Sequence, residues 1–357
     1  MAEMKRLYVK VEYGDKDITA KVEPYLTNLK YEDDLGDSRL GVTPSDSVTV
    51  TLADSRRLFQ GELYPTVGSA LCFEFGYSPD NAFKSGRGYL IDLIQVTGSG
   101  ATDSGGDTVV WKALAQLPGK GIHTKKCKAW TNTSLAAIAR AMAAENGMEL
   151  AYECEDEIKF FRIDQVNESD LSKITRLARK YGLVCSIKAG KGKPTLAIVD
   201  LASKLTKPPA FRIYRKDCTG YSFEDWAARN PAGRHARYFD VQKKELLTSD
   251  KVIPKGTRKD GLSESDVDTP DGRGQQDRAR AREAMGVFAS SVVRSPDSMK
   301  RTAKLDLPGN PSLLAGVVVE LPKDEWQAHS GVWVIVHSEH NLSVTGGYKT
   351  SVTLRRK

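Results

Sequence analysis

Two stretches of this sequence determine its fold, and the first reads GSALCFEF (residues 68–75), GYLIDLI (88–94) and TVVWKAL (108–114). The second reads GVVVEL (316–321), GVWVIV (331–336) and YKTSVTL (348–354). A Gly-Gly pair precedes the third strand of both stretches, and all three strands follow in the same order. This pattern predicts an antiparallel unit that occurs twice. The repeat favours two similar small β-barrels in one chain. The alternative is chance, because glycine-flanked strands are common in all-β proteins.

The composition is typical of a soluble globular protein. Charged residues make up 28% of the chain and hydrophobic residues 40%. A length of 357 residues is enough for two or three domains with real cores. No stretch approaches the roughly 20 apolar residues that span a membrane, so we expect no membrane insertion. The five cysteines are dispersed without CxxC spacing, which indicates free thiols in a reducing cytosol. The net charge of +7 permits an acidic partner but does not require one.

Residues 1–117 are predicted to form a first antiparallel β-barrel domain. Leu7, Val9 and Val11 alternate with polar residues, as in a half-buried strand. Residues 47–52 (SVTVTL) give another clear strand, and residues 54–63 are a candidate short helix.

An α/β insertion domain is predicted at 118–205, starting at a Pro-Gly turn. We expect Thr133 to cap a first helix. Asn167 is then expected to cap a second helix, with Asp170 three residues later in a capping-box position. Short β segments follow both helices and complete the domain.

Residues 206–357 are predicted to form a second β-barrel domain. Within it, residues 243–275 are polar and lack apolar periodicity, so we interpret them as a mobile loop. A helix is expected at about 275–293. The predicted fold is therefore mainly β, with two tube-like antiparallel β-barrel domains flanking a small α/β domain.

The sequence gives no support for catalysis. Neither a Gly-x-Ser-x-Gly elbow nor a complete phosphate loop is found, so we predict no enzymatic activity, no catalytic residue and no cofactor. His337 and His340 have His-x-x-His spacing, but a zinc site needs further ligands. We interpret them as a surface pair and predict no metal site.

The basic residues within 251–282 are the best argument for contact with a polyanion or another partner. Two interpretations remain open: a binding surface for such a partner, and a solvated loop and helix face. Its candidate contact residues are Lys255, Arg258, Lys259, Arg278, Arg280 and Arg282.

The segment DQVNESDL at residues 164–171, followed by TRLA (175–178) and Tyr181-Gly182, resembles a motif of phage late control gene D proteins. These are tail baseplate hub proteins, similar to the hub portion of VgrG spikes in type VI secretion. Trp130 and the Gly347-Tyr348 ending resemble two further segments of the same family. The motif residues are Gln165, Asn167, Glu168, Ser169, Asp170, Trp130, Gly347 and Tyr348.

The resemblance implies a structural hub of a contractile phage tail or a tailocin-like injection device. Three subunits with two barrels each would form a pseudo-six-fold ring around a pore. That homotrimer would join the tail tube protein to a central spike, which we expect to be a separate protein because this chain ends after the second barrel. The implied partners also include other baseplate proteins and, transiently, DNA or the tape measure protein.

The implied location is the virion or tailocin tail baseplate, after assembly in the bacterial host cytoplasm. The motif itself is predicted to be structural: Asn167 and Asp170 cap a helix, and Glu168 complements its dipole. The alternative function is a nucleic-acid-binding protein that uses the basic residues of 251–282.

Overall fold

The structure is a computed structural model, and it describes residues 7–14, 16–36, 45–85, 88–98, 106–115, 121–189, 193–225, 233–240, 245–252, 263–264 and 301–356. This part of the chain is mainly β, and most strand pairs are antiparallel. The mainly β fold class is therefore confirmed. The domain boundaries near 118 and 205 stay predictions.

The N-terminal part contains one short helix, α1 (Thr19–Val22), and a row of strands. The strands are β1 (Tyr8–Tyr13), β2 (Lys16–Asp17), β3 (Leu26–Asp34), β4 (Ser47–Ala53), β5 (Ala70–Ser78), β6 (Asn81–Lys84), β7 (Tyr89–Thr97) and β8 (Thr108–Leu114). Residues 54–63, predicted as a helix, form turns instead. The carboxylate of Asp54 accepts the backbone N–H of Phe59 at 3.1 Å, and this bond closes a turn around the buried Phe59 ring.

The middle part combines helices with two small sheets. Its elements are β9 (Lys125–Ser134), α2 (Leu135–Glu145), β10 (Glu149–Glu153), β11 (Lys159–Ser169), α3 (Asp170–Lys180), β12 (Val184–Lys188), β13 (Thr195–Val199) and α4 (Leu201–Lys204). β9 and β11 pair with each other, while β10, β13 and β12 form a separate sheet. The apolar faces of α2 and α3 pack with this sheet in one core, to which Ile138, Ile174 and Ile198 contribute.

The C-terminal part contains the remaining strands and a short helix. They are β14 (Phe211–Arg212), β15 (Gly220–Asp225), β16 (Gly233–Asp240), β17 (Glu245–Val252), β18 (Ser263–Glu264), β19 (Arg301–Pro308), β20 (Val318–Leu321), α5 (Lys323–Trp326), β21 (Gly331–Ser343) and β22 (Gly347–Arg356). Short 3-10 helices cover Glu23–Tyr25, Gly121–His123, Arg215–Asp217 and Gln327–His329.

The antiparallel unit that was predicted to occur twice has the same strand order in both copies, which we call the two cassettes. In the first cassette the strands lie in the order β1-β5-β7-β8-β4-β3, and in the second in the order β14-β20-β21-β22-β19-β15. When the six strands of each copy are numbered along the chain, both sheets read first, fourth, fifth, sixth, third, second. One difference is that β14 pairs with β20 in parallel, whereas β1 pairs with β5 antiparallel. The predicted repeat is thus present in the pairing itself.

The backbone details of the repeat also coincide. Gly68 and Gly316 have φ values of 89° and 91°, which only glycine adopts at little cost. Their N–H groups donate to the carbonyl oxygens of Ile91 and Ile335, both at 2.7 Å. The ladder then shifts register directly after Ile91 in β7 and after Ile335 in β21. Equivalent positions can therefore be assigned residue by residue.

The two cassettes share one sheet. β3 of the first cassette pairs antiparallel with β21 of the second over seven residue pairs, from Asp34 opposite His337 to Asn28 opposite Ser343. The main sheet is therefore continuous through both halves. The arrangement of two barrel domains stays a prediction. The first cassette's core also includes Leu342 and Tyr348 from the second.

The tract predicted as a mobile loop contains regular structure. Glu245–Val252 forms β17, which pairs with β16 over eight residue pairs, and β18 adds to β16 in parallel. The loop prediction is corrected for these residues, because backbone pairing does not require the apolar periodicity that the tract lacks. The rest of 243–275 and the predicted helix at 275–293 lie outside the described residues.

Candidate functional site

The family motif at residues 165–170 (QVNESD) forms a bend between β11 and α3. Gln165 and Glu168 lie on either side of a β-bulge in the β9–β11 ladder. Asn167, between them, has φ 48°, a left-handed conformation for which asparagine is enriched. Its backbone N–H points to the sulfur of Cys127 at 3.3 Å. Asn167 therefore shapes the bulge, and the prediction that it caps α3 is wrong.

Ser169 is the residue that caps α3. Its hydroxyl oxygen accepts the backbone N–H of Ser172 at 3.2 Å, as an N-cap residue does. The cap of the first helix differs in the same direction by one residue, since Ser134 rather than Thr133 accepts the N–H of Ala137. In both cases the chain stays extended longer than predicted, because β9 and β11 pair up to the residue before each helix.

Glu168 forms an ion pair with a side chain of α3. Its two carboxylate oxygens accept from Nε and Nη2 of Arg176 at 3.1 and 3.0 Å, a bidentate pair. This bond is the main reason why the pKa of Glu168 is lowered. Glu168 thus pairs with a side chain two turns into α3, in addition to lying near its positive N-terminal end.

Asp170 is the buried centre of the motif. Its carboxylate accepts from Lys126 Nζ at 2.5 Å, from Gln165 Nε2 at 2.9 Å and from Asn146 Nδ2 at 3.0 Å. Burial raises the pKa of Asp170, but the bonds from these three donors outweigh it and hold the pKa below its usual value. One carboxylate therefore joins β9, β11, the end of α2 and the start of α3. We call Asp170 and its three donors the motif cluster.

Trp130 lies on β9, next to the motif cluster. Its ring packs against the core of the middle part, and Lys128 Nζ lies 4.2 Å from the ring centroid. This geometry is a cation–π contact that also orients Lys128 toward Glu145. The role of Trp130 in this structure is packing.

Gly347 and Tyr348 begin β22 and contact the other cassette. Gly347 turns the hairpin with φ 66°. The ring of the buried Tyr348 packs edge-on against Phe75 of β5 at 5.7 Å between centroids. Its hydroxyl lies 2.8 Å from Nδ1 of His340. Gly347-Tyr348 therefore belongs to the contact between the cassettes.

His340 is fully buried, so the interpretation of a surface histidine pair is wrong for it. Nε2 lies 3.2 Å from the carbonyl oxygen of Leu313, which can only accept, so Nε2 carries the proton. Nδ1 then accepts from the Tyr348 hydroxyl. Burial lowers the pKa of His340 to about 4, which keeps the ring neutral. Its ring stacks on Tyr31 of β3 at 5.9 Å, across the shared sheet.

A second charged cluster joins three parts of the chain. Lys188, at the end of β12, contacts the carboxylate of Asp33, Oδ1 of Asp46 at 2.8 Å and the carbonyl oxygen of Asp34 at 2.6 Å. The other oxygen of Asp33 accepts the backbone N–H of Ala315 at 2.9 Å. Through Lys188, the middle part is thus tied to β3, to the start of β4 and to the C-terminal part. We call Lys188 and these two carboxylates the junction cluster.

The junction cluster has strongly perturbed charges. Burial lowers the pKa of Lys188, but Asp33 and Asp46 outweigh burial and raise it above its ordinary value. Burial and the neighbouring Asp33 raise the pKa of Asp46. Asp34 binds His337 Nδ1 at 3.1 Å beside this cluster. Sequence reasoning missed Lys188, Asp33, Asp34 and Asp46, although three successive acids at 32–34 at the end of a strand are a usable signal.

The remaining predictions concern the basic residues and ligands. Lys255, Arg258, Lys259, Arg278, Arg280 and Arg282 lie outside the described residues. Within the described ranges, no group of three His, Cys, Asp or Glu side chains is placed to hold a metal ion. No helix in that part of the chain is long and apolar enough to cross a membrane.

The fold and these clusters define a class: a mainly β protein built on an internal repeat, with buried charges that tie its parts together. Residues 113–345, more than half of the chain, match the phage tail baseplate hub (GPD) family. The chain belongs to this family. The resemblance seen in residues 164–171 is therefore confirmed.

Individual relatives agree with the family. The probable baseplate hub protein of Escherichia phage P2 is 25% identical over 210 residues, 58% of this chain and 50% of that protein. The chain thus spans about half the length of this curated relative.

Solved structures show the same fold at low identity. The 43 kDa tail protein of prophage MuSo2 from Shewanella oneidensis has a TM-score of 0.65 and 11% identity, and the match covers 98% of both chains. An E. coli type VI secretion component, described as similar to T4 tail proteins gp27 and gp5, has a TM-score of 0.54 and 10% identity. That match covers 99% of this chain and 77% of the other. None of these relatives supports the nucleic-acid-binding alternative.

Proposed function

We propose that this chain is the hub subunit of a contractile tail baseplate and assembles as a homotrimer. Its six cassettes would form a pseudo-six-fold ring between the tail tube protein and a central spike supplied by a separate chain. Other baseplate proteins would contact the outside of the ring, and DNA or the tape measure protein would pass through the pore. The role is structural and includes no enzymatic step.

The shared strand order of the two cassettes carries this proposal. A closed ring of identical subunits has as many equivalent positions as it has subunits. A chain with two equivalent cassettes doubles the number of similar positions. Three chains would then present six similar positions to the tail tube and three equivalent positions to the spike. The continuous sheet across β3 and β21 holds the two cassettes in a fixed relation, as a ring of this kind requires.

The location follows from the same proposal. A hub of this family belongs in the tail of a virion or of a tailocin. Its assembly in the bacterial host cytoplasm is consistent with five cysteines that form no disulfide in the described structure.

Mass in solution and imaging test the proposal together. We expect light scattering of the purified chain, or of the chain expressed with its tube and spike proteins, to give three copies per particle. Images of that particle should show a ring with six similar densities. A chain that stays monomeric in the presence of both partners would rule the proposal out.

A further inference from the structure

Two strand edges of the main sheet are open within the described structure. Beyond its register shift, β7 pairs only with β8, so its other edge from Leu93 to Thr97 has no strand beside it among the described residues. β15 pairs with β19 alone among the described strands, which leaves its outer edge open as well. Unpaired strand edges are templates for a further strand.

The repeat shows what such edges bind. β7 is equivalent to β21, and β15 is equivalent to β3. Inside the chain, the edge of β21 that corresponds to the open edge of β7 is occupied by β3. The internal junction therefore uses one edge of each type, and one edge of each type remains open.

The open edges expose apolar side chains whose equivalents are buried. Val96 is 42% exposed, whereas its equivalent in β21, His340, is 0% exposed. Tyr221 is 44% exposed, whereas its equivalent in β3, Leu29, is 0% exposed. Leu93 on the same edge of β7 is also 45% exposed. The exposure coincides with the missing neighbour strand, so a strand added there would cover these side chains.

We propose that β15 of one subunit pairs antiparallel with the open edge of β7 of a second copy of this chain. The equivalences fix the register. Gln95 of one copy lies opposite Glu224 of the other, Val96 opposite Phe223, and Thr97 opposite Ser222. This inference rests on the proposed ring, and it assigns the contact that closes it.

The side chains suit this register. At the internal junction Glu32 lies opposite Glu339, and Lys30 bridges them at 2.7 and 3.2 Å. At the proposed junction the equivalents of Glu339 and Lys30 are Gln95 and Ser222. An amide then faces Glu224, so no like-charge pair arises and no bridging lysine is needed. Val96 opposite Phe223 is a β-branched and aromatic pair, which stabilises antiparallel strands.

The geometry also limits the kind of assembly. The two edges are different surfaces, so each subunit donates β15 to one neighbour and receives β15 from another. Such a head-to-tail contact gives a closed ring when the rotation closes, and a filament when it does not. A two-fold dimer could pair both edges only if β7 and β15 of one subunit faced the same neighbour.

Cysteine cross-linking tests the register directly. The double variant Thr97→Cys with Ser222→Cys, in a Cys127→Ser background, places two thiols directly opposite each other across the junction, within disulfide distance. The matched control combines Leu93→Cys with Ser222→Cys. Leu93 lies on the same strand face, roughly 13 Å along the strand from Thr97. We expect linked dimers and trimers on non-reducing gels for the first pair, at least about tenfold more than for the control.

A charge variant tests the edge without cysteines. Val96 is exposed in the single chain, so Val96→Asp leaves its fold intact but buries an unpaired charge at the proposed junction. We expect association to weaken by at least about tenfold. Val166→Asp, at a 72% exposed valine in β11 outside the main sheet, should associate as the wild type does.

The two proposals fail in different ways. A trimer in which only the control cysteine pair cross-links, or in which Val96→Asp changes nothing, overturns the β7–β15 contact while the hub assignment stands. A chain that remains monomeric with its tube and spike proteins overturns both.

Discussion

The motif cluster around Asp170 and the junction cluster around Lys188 satisfy buried charge in different ways. Asp170 collects its donors from residues 5, 24 and 44 positions away, all within the middle part. Lys188 binds carboxylates 155 and 142 positions away, in another part of the chain. The first cluster shapes a local bend, whereas the second sets how the parts of the molecule are attached to each other.

This difference predicts a hierarchy of effects. A change in the junction should weaken the whole protein, because it leaves buried charges unpaired where its parts meet. A change in the motif should act on the strand-to-helix bend first. The predictions below run from the largest expected effect to the smallest.

Lys188→Met should lower the free energy of unfolding by about 3–5 kcal/mol, because it leaves Asp33 and Asp46 buried without their cation. Urea unfolding followed by tryptophan fluorescence measures this. The control is Lys207→Met, which removes a surface lysine paired with Glu153 at 3.2 Å and should cost less than about 1 kcal/mol. Equal losses in the two variants would mean that the Lys188 cluster is not a junction.

His340 should make the contact between the cassettes sensitive to acid. The ring titrates near 6.5 when unfolded and at about 4 when folded, so the unfolded state binds the proton first as pH falls. The free energy of unfolding should drop by about 3 kcal/mol between pH 6.5 and pH 4 from this group. His340→Gln should be less stable at pH 8 but should lose this part of the slope.

The slope difference between wild type and His340→Gln isolates His340. Burial also lowers the pKa of His123, but that group is present in both proteins. Unfolding midpoints in urea at half-unit pH steps supply the data. Parallel curves for the two proteins would show that His340 does not carry the acid sensitivity.

Asp170→Asn should cost about 2 kcal/mol, because it removes a charged acceptor from three donors and leaves Lys126 with the longer contact to Glu145 at 3.5 Å. The folded pKa of Asp170 lies below its unfolded value, so its contribution is present above about pH 4 and disappears as pH falls further. The variant and the wild type should therefore converge in stability at low pH. Asp164→Asn, at an exposed carboxylate paired with Arg162, is the control and should have little effect.

Ser169→Ala should cost about 1 kcal/mol, because it removes the N-cap of α3. Asn167→Gly should be close to neutral, since glycine adopts the left-handed backbone of the bulge more easily than asparagine does. Thermal unfolding of both variants separates the two roles. A larger loss from Asn167→Gly than from Ser169→Ala would restore Asn167 as the cap.

The local parts of the fold could be predicted from the sequence. The short apolar runs in GYLIDLI and GVWVIV, each opened by a glycine, indicate strands, and their shared order identifies the repeat, because these signals lie within a few residues. The cap of α3 was placed two residues early for a physical reason. Asparagine is favoured both as a helix cap and in a left-handed bulge, and only the pairing of β11 with β9 distinguishes the two.

The long-range parts could not be predicted. The backbone N–H and C=O groups of a strand edge are the same for every residue type. The sequence of β3 therefore does not indicate that β21 is its partner. The burial of His340 depends on Tyr31 and Phe75, which come from the other cassette. In the sequence, Lys188 is only the polar last residue of a strand. Its burial depends on Asp33 and Asp46, which the folded chain brings to it from another part.

The shared strand β21 has a mechanical consequence. It pairs with β20 at its first residues and with β3 over its last seven, with a bulge in its β22 ladder between the two segments. A pull directed along β3 and β21 loads all of these inter-strand bonds at once, in shear, instead of opening them one by one. Under such a load, the connection between the cassettes resists as one stiff unit and does not open bond by bond.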